Sequence, residues 1–407
     1  MKKPIKNILF ITWDGPETQY LERLFLPIFV GLEKKGYKFH VLQFSWGTPE
    51  KFEQRTRACA QLTIPYKSVK VFRVFKAIGS FLTAFLGRHT IKKVIAEWNI
   101  DTLMPRSLMP ALAVLSMPKS ARKKLNIVFD ADGLAADERV DFAGISSTGK
   151  VYRLLRDIEM QMLCYADGVI TRTEASRKIL IARAGAGLIL ERCYRVSNGV
   201  DVTPFVQAFE QQAQAQKKDF VLCYCGSIGP QYRLPEMLDI AVKLKQVIPQ
   251  LRFKLFSSAL PEIQKQLEEK DLTGQDWIEY QTLPAAKVPK ALAACDLALA
   301  LREPKFSTQG VLPIKLGEYL LAGLPILGTP HVGNASELAE TGVFHSAELD
   351  ELEQSIDWVI NSYLPQQQQW KKRSHEVGLH YFALESTIER YDYALKGIEK
   401  YLNQSIN

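Results

Sequence analysis

FSTQGVLPIKLGEYLLAGLPILGTP, residues 306–330, carries a helix followed by a buried strand. Pro313 suits the first helical position, because its fixed φ matches the helix and it has no amide proton to leave unsatisfied. A helix is expected to begin there. Gly323 ends it, and Leu324-Pro325-Ile326-Leu327 opens the next strand. Lys315 falls in the first turn and Glu318 three residues later on the same face. The amino end of such a helix gathers unpaired N–H groups and the positive end of the dipole, which makes a place for a diphosphate. A cation for phosphate and a carboxylate for sugar or ribose hydroxyls would then point into one cleft. The plainer alternative is a surface ion pair, worth little by itself.

A second segment, CYCGSIGPQYRLPEML (223–238), runs from a buried strand through Gly226-Ser227 and Gly229 into a helix. Small residues there let backbone amides approach a ligand, and Arg233 offers a planar cationic fork for phosphate. Both loops fall at carboxyl ends of strands in one domain, where open parallel sheets bind ligands.

Outward from these segments, short apolar runs alternate with helical patterns, the signature of parallel sheets covered on both faces. The first half offers strands at 7–13, 38–44, 102–105, 126–131 and 168–173, the second at 220–226, 252–258, 277–282, 297–301 and 325–329. The turn-rich VSNGVDVTPF (196–205) separates them. The division expected is a first Rossmann-like domain over 1–200, a second over 201–370, and a C-terminal helix over 371–407 that crosses back to the first. QAFEQQAQAQKK (207–218) reads as a helix end and linker. The segment Thr18 to Lys35 reads as a helix that Pro27 should kink.

With 407 residues and 47% hydrophobic content, two cores of ordinary size are expected. The six cysteines form no CxxC pair and are expected to be reduced thiols. The apolar start is interrupted by Trp13-Asp14-Gly15 before a signal-peptide core is complete, and no apolar run reaches the roughly 20 residues of a membrane span. A cytoplasmic protein is expected. The net charge of +8 gathers partly in residues 66–94, where Lys67, Lys70, Arg73, Lys76, Arg88, Lys92 and Lys93 are interleaved with Phe72, Phe75, Phe81, Leu82, Phe85 and Leu86. This stretch reads first as an amphipathic helix pair packing on the sheet, and second as a peripheral contact with an anionic inner-membrane surface. No nucleic-acid motif is present.

The order strand, Gly-Ser loop, helix, and then P-x-K-L-x-E-Y-L-x-A-G-x-P, resembles the donor half of bacterial family 4 glycosyltransferases of the GT-B fold, those that build capsules, exopolysaccharides and lipopolysaccharides. Leu26-Pro27, Pro105-Arg106-Ser107, Phe129 through Leu134, Asp137-Glu138-Arg139 and Asn198-Gly199-Val200-Asp201 are similar to other motifs of that family. The resemblance implies two facing Rossmann-like doubly wound domains and retaining transfer of a hexose or amino sugar from a UDP- or GDP-linked donor. It implies a polysaccharide or lipid-linked glycan as acceptor, and no cofactor or metal. Carried over by position, Glu318 binds the ribose, Lys315 and Arg233 the diphosphate, and Gly226 and Ser227 the same group. Gly15 lets the chain turn near the donor phosphates, with a plain turn as the competing account.

Two departures stand out. Relatives carry a second glutamate eight positions before Glu318, where this chain has Gly310, so donor-sugar contacts are expected elsewhere in 306–312, with Gly310, Val311 and Leu312 as candidates. Relatives also carry a histidine about where Asp132 stands. Asp132 then serves as the carboxylate that takes the acceptor proton or supports charge at the anomeric carbon, with Arg106 and Asp130 beside it on the acceptor side. Alternatively, Asp130 and Asp132 cap the following helix. A nucleotide-sugar 2-epimerase and a non-catalytic nucleotide-sugar-binding protein are the competing functions. The six histidines show no metal-binding spacing.

Overall fold

The computed structural model describes all residues except 1–2, 17, 74–76, 213–217, 349–350 and 405–407. By its internal contacts the chain divides into two units. The first is Met1–Ser197 with Gln309–Val311 and Thr387–Asn407, and the second is Asn198–Thr308 with Leu312–Ser386.

Seven parallel strands form the sheet of the first unit: β1 (Asn7–Asp14), β2 (Lys38–Ser45), β3 (Tyr66–Lys70), β4 (Thr102–Pro105), β5 (Asn126–Asp130), β6 (Gly168–Thr171) and β7 (Cys193–Arg195). Their order is β3-β2-β1-β4-β5-β6-β7. β1 leads to β2 on one side and is flanked by β4 on the other, so the winding direction reverses between β1 and β4. Central strands covered on both faces must be apolar almost throughout, and β4 and β5 are buried at every position.

The second unit has β8 (Phe220–Cys225), β9 (Leu251–Phe256), β10 (Ile278–Gln281), β11 (Leu297–Ala300), β12 (Ile326–Gly328) and β13 (Phe344–Ser346), in the order β10-β9-β8-β11-β12-β13. The reversal here falls between β8 and β11. Its two cores include Leu222, Phe253, Leu255 and Leu299 on one side, and Tyr319, Leu320, Leu324 and Ile326 on the other.

Three details differ from the sequence expectation. The segment around Pro27 is a wide π-helical turn, Leu21–Phe25, followed by an α-helix, Leu26–Glu33, with Pro27 in its first turn, where a missing amide proton costs nothing. Pro313 lies one residue earlier in the helix than expected: it is the N-cap of Ile314–Leu321. The C-terminal segment is two helices, not one. Gln367–Phe382 stays with the second unit, where Gly378 lies so close to Leu321 that a Cβ would be 2.6 Å from its backbone nitrogen. The chain becomes extended at Ala383, which bridges Val200. The next helix, Leu384–Gln404, is grouped with the first unit from Thr387 onward. There Ile388 and Ile398 fill the space left by Gly31 and Gly168. The helix end expected at the start of 207–218 is present, as the helix Thr203–Gln212, and residues 213–217 of the expected linker lie outside the described residues.

Among the described residues, no helix is long and apolar enough to cross a membrane.

Candidate functional site

In the second unit, the reversal between β8 and β11 brings together the loop after β8, the residues after β11, and the helix Ile314–Leu321. Gly226 follows β8 with φ +147°, a region closed to most side chains, and a Cβ there would sit 2.6 Å from Lys315 Nζ. Glycine is therefore what lets the lysine head reach the strand end. Lys315 donates to Tyr224 Oη at 2.8 Å, and its ammonium lies 4.3 Å and 4.2 Å from the ring centroids of Tyr224 and Tyr232. Cation–π attraction of this kind holds a charge without neutralising it.

Burial, and next the charge of Arg302, push the Lys315 pKa down to about 7. Cys225 and Glu318 act weakly in the other direction. An anionic ligand arriving here would restore the proton. The surface-ion-pair alternative does not describe this lysine, whose head is enclosed by two phenols. Glu318 follows one turn later on the same helix, which Gly323 closes at φ +79°.

Arg302, which the sequence reading did not single out, follows β11 and is only 6% exposed. Its guanidinium donates to Gln231 at 2.6 Å, lies 5.1 Å from the Tyr232 ring, and keeps a buried Nε without a hydrogen-bond partner. Arg302 and Lys315 line one small pocket, with room for about one water molecule, together with Ala300, Pro313, Thr329 and Val332. The only sequence signal for Arg302 is its place just past an apolar strand.

Arg233 is differently placed. Its fork is taken by two carboxylates, Glu303 at 2.7 Å and Glu236. Ser227 is exposed, and its carbonyl accepts from Tyr224 Oη. Leu312 is buried, with its carbonyl accepting from Asn198 Nδ2 at 2.8 Å. Gly310 and Val311 belong to the contacts of the first unit. A Cβ at Gly310 would come within 3.0 Å of the Leu134 nitrogen, which accounts for glycine where a glutamate was expected.

The first unit carries its own cluster where β1 and β4 diverge. Asp14 ends β1, Arg106 follows β4, Asp130 ends β5 and Arg172 follows β6. Asp132, two residues past β5, holds a positive φ of 55°. Arg106 meets Asp132 at 2.5 Å and Asp14 at 3.5 Å; Arg172 pairs with Asp130 and reaches Asp132 at 3.8 Å. Asp14 also accepts from Thr12 at 2.7 Å and Gln43 at 2.9 Å. Burial raises the pKa of Asp130, and Arg172 works against that shift. Burial opposes the charge on Arg106, but Asp132, Asp14 and Asp130 together hold its pKa above the ordinary value.

Three carboxylates and two guanidiniums leave one formal negative charge. Asp132 is the carboxylate that reaches solvent: its side chain is 28% exposed, against 5% for Asp14 and 0% for Asp130. Helix capping is not its role, since the following helix, Ala135–Ala143, has Leu134 at its N-cap and no side-chain cap bond.

Gly15 lies in this unit, where a Cβ would be 3.2 Å from the Trp46 ring. The loop that begins there is held by Arg55, which the sequence did not flag. Arg55 donates to the carbonyls of Gly15 at 2.8 Å and Thr18 at 2.9 Å and to Ser45 Oγ at 2.8 Å.

Residues 206–377 match the family model described as "Glycosyl transferases group 1", a span that contains Gly226, Arg233, Arg302, Lys315 and Glu318. No curated protein matches the chain. Among solved structures, Anabaena HepE in complex with UDP and glucose shares 17% identity over 96% of this chain and 99% of its own, with a TM-score of 0.66. Sucrose-phosphate synthase from Thermosynechococcus elongatus shares 12% over 95% and 98%, at 0.67. A putative UDP-N-acetylglucosamine 2-epimerase from Listeria monocytogenes shares 14% over 97% and 96%, at 0.59. At such identities the likeness defines the fold, which is GT-B: two Rossmann-like units, each a parallel sheet with helices.

Proposed function

We propose that the chain is a retaining glycosyltransferase, binding a nucleotide-sugar in the second unit and delivering a hexose or amino sugar to a hydroxyl of a polysaccharide or glycolipid acceptor bound by the first. The observation that carries this reading is Lys315, an ammonium held between two phenols beside the buried Arg302, at the reversal point of the sheet. Open α/β sheets bind ligands at that point, and a cation with a depressed pKa gains most from a diphosphate.

Lys315 and Arg302 would hold the diphosphate, the Gly226-Ser227 loop would approach it through its backbone, and Glu318 would take ribose hydroxyls. As the bond from the anomeric carbon to the phosphate oxygen breaks, the acceptor oxygen bonds to that carbon on the same face. The acceptor proton passes to Asp132, and the nucleoside diphosphate leaves. Arg106 at 2.5 Å and Arg172 at 3.8 Å would orient the Asp132 carboxylate for this step. The two cations of the second unit stabilise the charge that develops on the leaving group, so the chemistry needs no metal.

The family match over 206–377 supports the class of reaction. The UDP held by the HepE structure makes UDP the first nucleotide to try. A thermal-shift screen against UDP, GDP, CMP, ADP and their sugar conjugates tests the reading, because a ligand that prefers the folded state raises apparent stability. A shift with one nucleotide-sugar that disappears in Lys315→Ala supports it, and no shift with any contradicts it. Conversion of UDP-N-acetylglucosamine to its 2-epimer without an acceptor would replace it with the epimerase reading. Binding without any transfer would leave a non-catalytic binding protein.

A further inference from the structure

The helix Ala77–Glu97 buries one face and leaves the other unmatched. Thr83, Ala84, Ile91 and Val94 are buried, and Gly87 lies against β2 so closely that a Cβ would be 2.5 Å from Phe44 Cζ. The opposite face should be polar. Instead, its first half exposes Ile78 (68%), Leu82 (49%), Phe85 (43%) and Leu86 (43%), spaced as one helical stripe. Phe72, 54% exposed, is brought beside this helix by its amide donating to Thr83 Oγ1 at 3.0 Å. The stripe continues into exposed Lys92 and Lys93. Arg88 lies 4.0 Å from the Phe85 ring, at the junction of the apolar and basic halves.

Charge is as one-sided as hydrophobicity. From Tyr66 to Ala96 the sequence has no aspartate or glutamate, while it has Lys67, Lys70, Arg73, Lys76, Arg88, Lys92 and Lys93. Those seven cations set against a net charge of +8 for the whole chain concentrate the excess in one stretch. Lys76 lies outside the described residues; of the others, Lys67 is near Glu97 at 3.6 Å.

We infer that this face rests on a bilayer surface bearing anionic lipid headgroups, with Ile78, Leu82, Phe85 and Leu86 entering the acyl boundary and Arg88, Lys92 and Lys93 at headgroup level. A nucleic acid would match the cations but not the apolar stripe. A second copy would match the stripe but bring like charges together. A bilayer carrying anionic lipid satisfies both halves at once. The inference stands apart from the transferase reading, since it concerns a different surface and is read without turnover.

The test is co-sedimentation of the full chain with vesicles of phosphatidylcholine alone, and of phosphatidylcholine with phosphatidylglycerol as about a third of the lipid. The expected result is binding to the anionic vesicles only, weakened at least about tenfold by Leu82→Ser with Phe85→Ser and, separately, by Lys92→Glu with Lys93→Glu. These residues are exposed, so thermal unfolding and nucleotide-sugar binding should match the parent. Absence of binding to anionic vesicles, or binding that neither pair weakens, overturns the inference. So does a dimer in sedimentation velocity that the Leu82/Phe85 pair dissociates, or retention on RNA that the Lys92/Lys93 pair abolishes while vesicle binding is absent.

Discussion

The two sheets reverse direction at equivalent places, yet their charges are organised in opposite ways. In the first unit each guanidinium meets a carboxylate, Arg106 with Asp132 and Arg172 with Asp130, and the cluster is nearly neutral before any ligand arrives. In the second unit two cations share a cavity, Lys315 enclosed by phenols and repelled by Arg302. A self-paired cluster suits a neutral ligand such as a sugar hydroxyl, with Asp132 as its solvent-facing carboxylate. A pair of like charges suits a ligand that brings compensating negative charge. On the proposed reading, similar topology serves two substrates of different charge.

The largest effects should come where this contrast touches chemistry. Asp132→Asn keeps a residue that tolerates positive φ but removes the proton acceptor. Transfer should fall by about 10²- to 10⁴-fold with nucleotide-sugar affinity unchanged in calorimetry. Equal loss of affinity would break the division of labour. Glu318→Ala should likewise suppress turnover while thermal unfolding stays within about 1 kcal/mol, since the role proposed for it is with the ligand and its half-buried side chain is not part of the core. A variant that unfolds but retains specific activity would remove Glu318 from the site.

Next in size is the contrast between the two arginines of the second unit. Arg302→Gln should weaken nucleotide-sugar binding by about tenfold or more, the cost of a charged hydrogen bond. Arg233→Gln, whose fork is already held by Glu303 and Glu236, should change it by less than about threefold. The reverse order would restore Arg233 as the phosphate ligand. The smallest effect is structural: Gly310→Glu should lower stability by about 1–3 kcal/mol by crowding Leu134, read from chemical denaturation, and should not improve affinity.

Most of the fold was legible in the sequence because central strands announce themselves. TLMP (102–105) and NIVFDA (126–131) are β4 and β5 within a residue, since strands buried on both faces are apolar almost throughout. The strands that went unread, β3, β7 and β13, are all at sheet edges, where half-covered residues such as those of YKSVK carry no clear period. The donor-side loop and helix were legible for a different reason: glycine, proline and lysine fall at positions fixed by backbone geometry. Arg302 and Arg55 were not, because their importance comes from partners distant in sequence, Tyr232 and the loop after β1. Nor could the sequence show that Arg233 is engaged by Glu303, which lies seventy residues away.

Protonation offers the most direct test of the central claim. Lys315 has a pKa of about 7 in the fold against an ordinary value of 10.5. Its buried charge therefore costs stability fully below pH 7, and that cost fades as pH rises from 7 to 10.5. A diphosphate bound beside it should draw a proton back onto the amine. Calorimetry of nucleotide-sugar binding at pH 8, in two buffers of different ionisation enthalpy, should show uptake of nearly one proton, and Lys315→Met should abolish that uptake and weaken binding. Tight binding with no proton uptake, unchanged by Lys315→Met, would contradict the account.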